Sequence, residues 1–234
     1  MIVDPTNLDP RDIYRLMISV IVPRPIAWVS TQSPDGVTNA APFSYFQALG
    51  SKPPMVMIAV GDRRTGEAKD TRRNIEATGQ FVVNVVDEAN GPAMVRCAID
   101  HPYGVSEFED AGLDAVASER VAPPRIGQSR VAFECELDRV LELAGSGVCI
   151  GRIVLFHLDD AVVDGDGHVD PVRLRPLGRL GGKGYATMGA LREIDPHGHD
   201  AIAWSVRDEM RARVAALRGE RSDEEILRDL GLID

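Results

Sequence analysis

The sequence predicts a mainly β protein with helices inserted between its strands, and three observations predict it. Two runs that pass as strands, Ile26–Thr31 and Thr38–Phe46, flank Ser33-Pro34-Asp35-Gly36, whose Asp-Gly pair marks a hairpin turn. Met55–Val60 is apolar throughout, as a strand buried on both faces would be. Ser129–Leu143 and Val148–Leu158 are long, and they alternate as in Ala132-Phe133-Glu134-Cys135-Glu136-Leu137, the pattern of half-exposed antiparallel strands.

The remaining elements follow in chain order. Asp9 and Pro10 supply an N-cap and a first helical residue, and the helix should stop before Pro23 because β-branched Val20–Val22 and two prolines follow. Pro23 and Pro25 deliver the chain extended into the first strand. Pro42 donates no ladder hydrogen bond, so the second strand must be bulged there or lie at an edge. Pro53-Pro54 starts the third strand, and Gly61–Glu67, with Arg63 and Arg64, is a polar loop. Lys69–Thr78 reads as a helix closed by Gly79. Gln80–Val86 returns as a strand, a second helix covers roughly Glu88–Ile99, and His101–Pro124 is rich in turn formers that wrap the surface. Val163–Asp170 is a turn, and Pro171–Gly184 is an irregular basic segment with Arg173, Arg175, Arg179 and Lys183. In the tail, Ile202, Val206, Met210, Val214 and Leu217 fall at helical spacing, and Ser222–Glu225 has the form of a capping box.

Composition narrows the function classes. A chain of 234 residues, 44% hydrophobic and 26% charged, is that of a globular protein with room for a sizeable core. A formal net charge of −10 argues against nucleic acid and anionic membrane surfaces as partners. No apolar run approaches the roughly 20 residues of a membrane helix, and the N-terminus lacks the pattern of a secretory signal, so a cytoplasmic location is expected. Cys97, Cys135 and Cys149 are odd in number and widely spaced, which argues for packed thiols over disulfides or structural zinc.

Two stretches carry candidate chemistry. Lys69-Asp70-Thr71 with Asn74 stands at a helix start, where unsatisfied N–H groups and a partial positive charge suit an anion. The bland alternative is a helix cap with a solvated lysine. Asn39 and Ser44 flank Ala40-Ala41-Pro42-Phe43, where a disrupted strand can offer amides to a flat heteroaromatic ring, or can simply be an edge without a ligand. Gly181-Gly182-Lys183-Gly184 lacks the Walker pattern. Asp164-x-Asp166-x-His168-x-Asp170 has Val169 and Arg175 where a calcium loop needs Gly and Glu. His197-x-His199 beside Asp200 reads as exposed loop residues. No Gly-x-Ser-x-Gly, His-Glu-x-x-His or Gly-x-Gly-x-x-Gly supports a serine hydrolase, a zincin or a Rossmann dehydrogenase.

Taken together, Pro23–Thr31, Asn39–Phe46, Lys69–Ile75, Phe81–Val85 and Arg175–Tyr185 resemble, in that order, the motifs of the flavin reductase-like family of FMN-binding split barrels. The resemblance implies a β-barrel with inserted helices, a six-stranded antiparallel Greek key, over residues 1–196; the helical spacing in the tail, not the resemblance, makes 197–234 a helical C-terminal extension of the same domain. It implies a homodimer with FMN near the interface. By motif, Asn39, Ala41, Pro42, Phe43 and Ser44 would line the flavin ring, and Ser30 and Thr31 would lie near its polar edge or ribityl chain. Lys69 and Thr71, supported by Asp70 and Asn74, would hold the phosphate, and Gly182 and Tyr185 would approach the cofactor. The tail has no counterpart in the family.

The expected activity is NAD(P)H:flavin oxidoreduction, with NADH or NADPH as hydride donor and a monooxygenase or another electron-acceptor protein as recipient. Because a flavin carries such chemistry itself, no protein nucleophile or acid–base dyad is needed. The alternative is an FMN-binding electron carrier or flavin store that oxidises no nicotinamide; a pyridoxamine-phosphate-oxidase-like enzyme fits the motifs less well.

Overall fold

The first helix, α1 (Pro10–Val20), begins at its expected cap: the Asp9 carboxylate accepts from the N–H groups of Arg11 and Asp12. The computed structural model describes residues 1–99, 101–102, 104–193 and 203–204. Two units are distinguished, Met1–Thr187 and Met188–Asp234.

In the first unit the predicted hairpin forms. β1 (Ala27–Gln32) and β2 (Thr38–Phe43) pair antiparallel with Trp28 opposite Pro42, across a turn closed by Ser33 N–H to Val37 O. The second predicted strand does not run on as one piece. It breaks at Ser44–Tyr45, and β3 (Phe46–Ser51) continues to pair with β4 (Pro54–Gly61). The ladder to β4 holds β3 extended through Ser51, with one irregularity between Ala48 and Gly50. Helix α2 (Asp70–Thr78) ends at Gly79, which takes the left-handed φ of 70° that closes a helix without a Cβ clash. β5 (Gln80–Val85) follows, then α3 (Gly91–Arg96), α4 (Glu107–Ala111), the short pair β6 (Ala115–Val116) and β7 (Arg125–Ile126), and the long hairpin β8 (Val131–Leu143) and β9 (Ser146–Leu158).

The large sheet has seven strands in the order β2-β1-β5-β8-β9-β4-β3. Its two edge strands are consecutive in the chain and separated only by Ser44 and Tyr45, so the edges stay within about 11 Å and the sheet must curl into a barrel. Counting the bent β2–β3 run as one strand recovers the expected six. Pro42 therefore sits on an edge, without a bulge in its register to β1.

Three expectations are corrected. β4 is not buried on both faces: Val56, Ile58 and Val60 point into the barrel while Met55, Met57 and Ala59 stay half-buried, because the covering helices sit elsewhere. The second helix is shorter than Glu88–Ile99. Asp87 and Asn90 clasp each other's N–H groups at 3.0 Å, making 87–90 a turn. His101–Pro124 does more than wrap the surface. Phe108 of α4 and Leu113 join Met94, Cys97 and Ile126 over Trp28 and Ala40, forming a second apolar cluster outside the barrel wall. All three cysteines are free and buried.

After the Val163–Asp170 turn, the segment expected to be irregular holds α5 (Pro171–Leu174) and a small hairpin of β10 (Gly178–Arg179) and β11 (Tyr185–Ala186). In the second unit, β12 (Arg192–Glu193) pairs with β13 (Ala203–Trp204). That strand replaces the start of the helix predicted from Ile202. The rest of that helix, Ser222–Glu225 and His197-x-His199 with Asp200 lie outside the described residues. No described helix is long and apolar enough to cross a membrane.

Candidate functional site

Strand alternation sorts the candidate residues before any contact is considered. On β1, Val29 and Thr31 face the barrel interior and the α2 end, while Trp28 and Ser30 face outward. On β2, Asn39, Ala41 and Phe43 share the inner face. Helix α2 caps this end and turns Thr71, Asn74 and Ile75 inward.

A polar seam joins strands to helix. Asn39 Nδ2 donates to Thr71 Oγ1 at 3.0 Å, and Asn74 Nδ2 donates to Thr31 Oγ1 at 3.0 Å. All four residues are buried, so each pair is satisfied away from water and fixes how α2 sits on the barrel. Next to the seam, Arg63 Nη2 donates to Asp70 Oδ1 at 2.9 Å and Arg63 Nη1 donates to the His101 carbonyl at 3.1 Å.

Two adjoining cavities open here, of about 130 and 70 Å³, sharing Asn39 and Asp70 in their walls. The larger is bounded by the hairpin turn at Ser33–Asp35, by Thr38 and by Asn74. The smaller is bounded by Ala41, Pro42, Lys69 and Thr71 on one side, and by Cys97–Ile99, His101 and Glu107 on the other. Seven of the thirteen sequence-derived candidates thus meet: Asn39, Ala41, Pro42, Lys69, Asp70, Thr71 and Asn74. Thr31 joins them through Asn74.

The α2 N-terminus suits an anion. Its N-cap residue is Lys69, whose side chain makes no capping hydrogen bond, and the first intrahelical bond runs from Arg73 N–H to Lys69 O. The preceding amides lack a helical acceptor, and Lys69 stands half-buried beside them. Asp70 is no cap either, since its carboxylate is turned to Arg63 and its charge is thereby offset.

Other candidates are placed elsewhere. The Ser30 hydroxyl donates to Pro124 O and accepts from Asn84 Nδ2 at 3.1 Å on the outer face. Phe43 packs into the barrel core. Ser44 accepts from Arg24 Nε at 3.3 Å, and Gly182 and Tyr185 belong to the β10–β11 hairpin, where Arg179 lies 4.5 Å over the Tyr185 ring. Nor is the basic segment a free cationic patch. Arg173 donates to Val163 O, Arg175 pairs with Glu88, and Arg179 donates to Gly184 O.

Sequence reasoning missed Arg24, Arg63 and Glu107. Glu107 Oε2 accepts the Ala40 N–H at 3.1 Å, so Ser30–Ala40 is a non-hydrogen-bonded pair of the β1–β2 ladder, as is Trp28–Pro42 two residues on. Pro42 therefore puts its missing N–H on the outer edge, where Glu107 already takes its neighbour's amide. The break frees fewer amides for a ring than the proline alone suggests. Burial holds the Glu107 carboxyl above the ordinary range, against the opposing N–H bonds from Ala40 and from its own backbone. Arg24, flanked by two prolines, was the one legible signal among these.

Comparison with known proteins places this geometry. The flavin reductase like domain matches residues 19–173. An uncharacterized protein of Halalkalibacterium halodurans is 41% identical over 201 residues, 83% of this chain and 96% of its own. The crystal structure of nitrilotriacetate monooxygenase component B from Bacillus cereus is 34% identical with a TM-score of 0.80, over 83% of this chain and 98% of its own. That of 2-nitrobenzoate 2-nitroreductase from Pseudomonas fluorescens is 32% identical with a TM-score of 0.78, over 86% and 99%.

Proposed function

We propose that this chain, which belongs to the flavin reductase like domain family, binds FMN at the α2 end of its barrel and reduces it with NADH or NADPH. The family's split barrel is the fold described above. The observation that carries the cofactor reading is the uncapped α2 N-terminus with Lys69 and Thr71 on the wall of a cavity.

The donor set fits a phosphate. Lys69 supplies a positive charge, the first-turn amides supply directed N–H groups, and the Thr71 hydroxyl, already held by Asn39, keeps its own proton to donate. Arg63 neutralises Asp70, which would otherwise repel an anion at this spot. The Asn74–Thr31 bond keeps the helix start from drifting off the barrel rim. Ala41 and Pro42 offer an apolar surface next to this cradle, and Cys97–Ile99 line the opposite side of the same cavity. When bound, the flavin supplies the hydride acceptor and the electron relay, so the protein's part is position and electrostatics.

The cavities within one chain are small for a whole flavin, and α1 buries none of its residues while Tyr14, Leu16, Met17 and Val20 lie exposed. Both observations support the expected homodimer. The likeness to a monooxygenase component and to a nitroreductase supports transfer of electrons onward, to a flavin-dependent partner protein or to a small acceptor.

The test is a visible spectrum of the purified protein, with FMN added, before and after anaerobic NADH and then NADPH. Flavin bands that bleach with one nucleotide support the reductase and name its donor. Bands that bleach only with dithionite leave the electron-carrier reading, and failure to take up FMN overturns the cofactor assignment.

A further inference from the structure

The smaller cavity at the α2 end has two walls of opposite chemistry. Facing Lys69 and Thr71 stands Glu107, the first residue of α4, which is 6% exposed. Apart from its own backbone, the only N–H group described on its carboxylate is that of Ala40, at 3.1 Å. A carboxylate held charged out of water ordinarily has two or three such donors, or a paired cation. Glu107 has neither.

The charged groups around it are engaged with one another. Arg63 holds Asp70 at 2.9 Å and the His101 carbonyl at 3.1 Å. Arg96, at the end of α3, lies 3.8 Å from Asp110, whose other oxygen is 3.9 Å from His101 Nε2. That nitrogen is buried and makes no hydrogen bond, so this wall leaves a second polar group unsatisfied. Cys97 is the remaining titratable group on the wall, and β2, which packs against it, contributes none. The Asp70 carboxylate opposes charge on Glu107, while His101 favours it.

A phosphate at the α2 end and an ionised Glu107 would be like charges facing each other across about 70 Å³. Such a pair does not stay doubly charged in a site of low effective dielectric. The phosphate has Lys69 and directed amides to hold its charge, whereas Glu107 has one N–H from Ala40, so the carboxyl is the group that yields.

We propose that ligand binding at the α2 end is proton-coupled: a phosphate held by Lys69 and the first-turn amides of α2 brings one proton from solvent onto the Glu107 carboxyl, which thereby sets the pH range over which the site takes a phosphorylated ligand. The inference rests on the FMN reading above. The O–H bond on Glu107 is the only bond formed, and binding is favoured as the pH falls toward the range in which that bond already exists in the empty site.

The experiment measures the Kd for FMN, by quenching of flavin fluorescence, at pH 6.5 and pH 8.5, where the phosphate is largely dianionic. For the unchanged protein Kd is expected to rise about tenfold between the two, the equivalent of one pH unit of linkage. Glu107→Gln still offers an oxygen to the Ala40 N–H but carries no charge. It is expected to bind equally at both pH values, and about tenfold more tightly than the unchanged protein at pH 8.5. A residue needed only to hold the wall together would lose affinity instead. A pH-independent Kd in the unchanged protein, or a dependence that persists in Glu107→Gln, overturns the inference while leaving FMN binding intact. Should Glu107→Gln not fold, calorimetry of FMN binding to the unchanged protein in two buffers of different ionisation heat counts the protons, and none taken up overturns it. An unchanged protein that binds no FMN at either pH overturns the cofactor reading and this inference together.

Discussion

Two buried glutamates show how differently one side chain can be used in this fold. Glu134, with no exposed surface, accepts N–H bonds from Glu119 at 2.8 Å, Arg120 at 2.6 Å and Val121 at 3.1 Å, and also meets His157 Nε2. Burial raises its pKa, but the Glu119 N–H, His157 and the Arg120 N–H more than offset this and hold it below the ordinary value. Glu107 is buried too, yet from another segment its carboxylate takes only the Ala40 N–H, and burial wins. The first carboxylate clasps a loop to β8 and lines neither cavity. The second forms part of a cavity wall. Surplus donors mark a structural acid, whereas a shortage beside open space marks one whose protonation can respond to a ligand.

The strongest way to break this contrast is Glu134→Gln. It replaces an acceptor of several N–H bonds with a group that is half donor, and unfolding free energy is expected to fall by about 3 kcal/mol. Denaturant titration measures it, and an unchanged midpoint would remove the clasp from the account. The same residue sets a pH effect. A carboxylate with a depressed folded pKa stabilises above its unfolded value, so the contribution is lost as pH falls below about 4.5 through the folded pKa. Glu134→Gln should flatten that acid limb.

A smaller effect is expected across the cavity from Glu107. Lys69→Ala should weaken FMN about tenfold, roughly 1.4 kcal/mol, with little change in stability; equal affinity would take the phosphate away from α2. For Glu107 the sign reverses. A carboxyl with a raised folded pKa is most favourable when protonated, so its contribution declines as pH rises above about 4.5 toward the folded value. Glu107→Gln should therefore raise stability at neutral pH by up to about 1 kcal/mol and remove that decline. A variant less stable at every pH would show that the charge is needed on the Ala40 amide.

The finest probe is chemical. Burial pushes the Cys97 thiol, on the same cavity wall as Glu107, up to about 12, and Cys149 to about 11. At pH 8 a thiol reagent should react with Cys97 about a thousandfold, and with Cys149 about a hundredfold, more slowly in native than in unfolded protein. Fast labelling of Cys97 in the native state would mean that the wall opens.

Much of this architecture was legible because it rests on local rules. Asp9, Pro10, Gly79 and the Asp35-Gly36 turn announce their own backbone geometry, and the alternation of β8 and β9 announces a half-exposed hairpin. The α2 site was legible as a helix start carrying Lys69, Thr71 and Asn74. What stayed hidden depends on pairing at a distance. β3 is almost wholly exposed and has no apolar pattern, and only its ladder to β4 makes it a strand. α4 is too short to announce itself by periodicity, though Ser106 caps it and Phe108 anchors it.

By itself the sequence determined the hairpin, the order of most strands and helices, and the residue types gathered at the α2 end, because caps, turns and alternation act within a few neighbours. Only the tertiary structure decided that the two sheet edges are neighbours across Ser44 and Tyr45, that Arg63 offsets Asp70, that Glu107 takes the Ala40 amide, and that Arg24 is buried without a carboxylate. Charge and hydrogen-bond balance in a buried site are sums over groups distant in the chain, and those sums exist only once the barrel has closed.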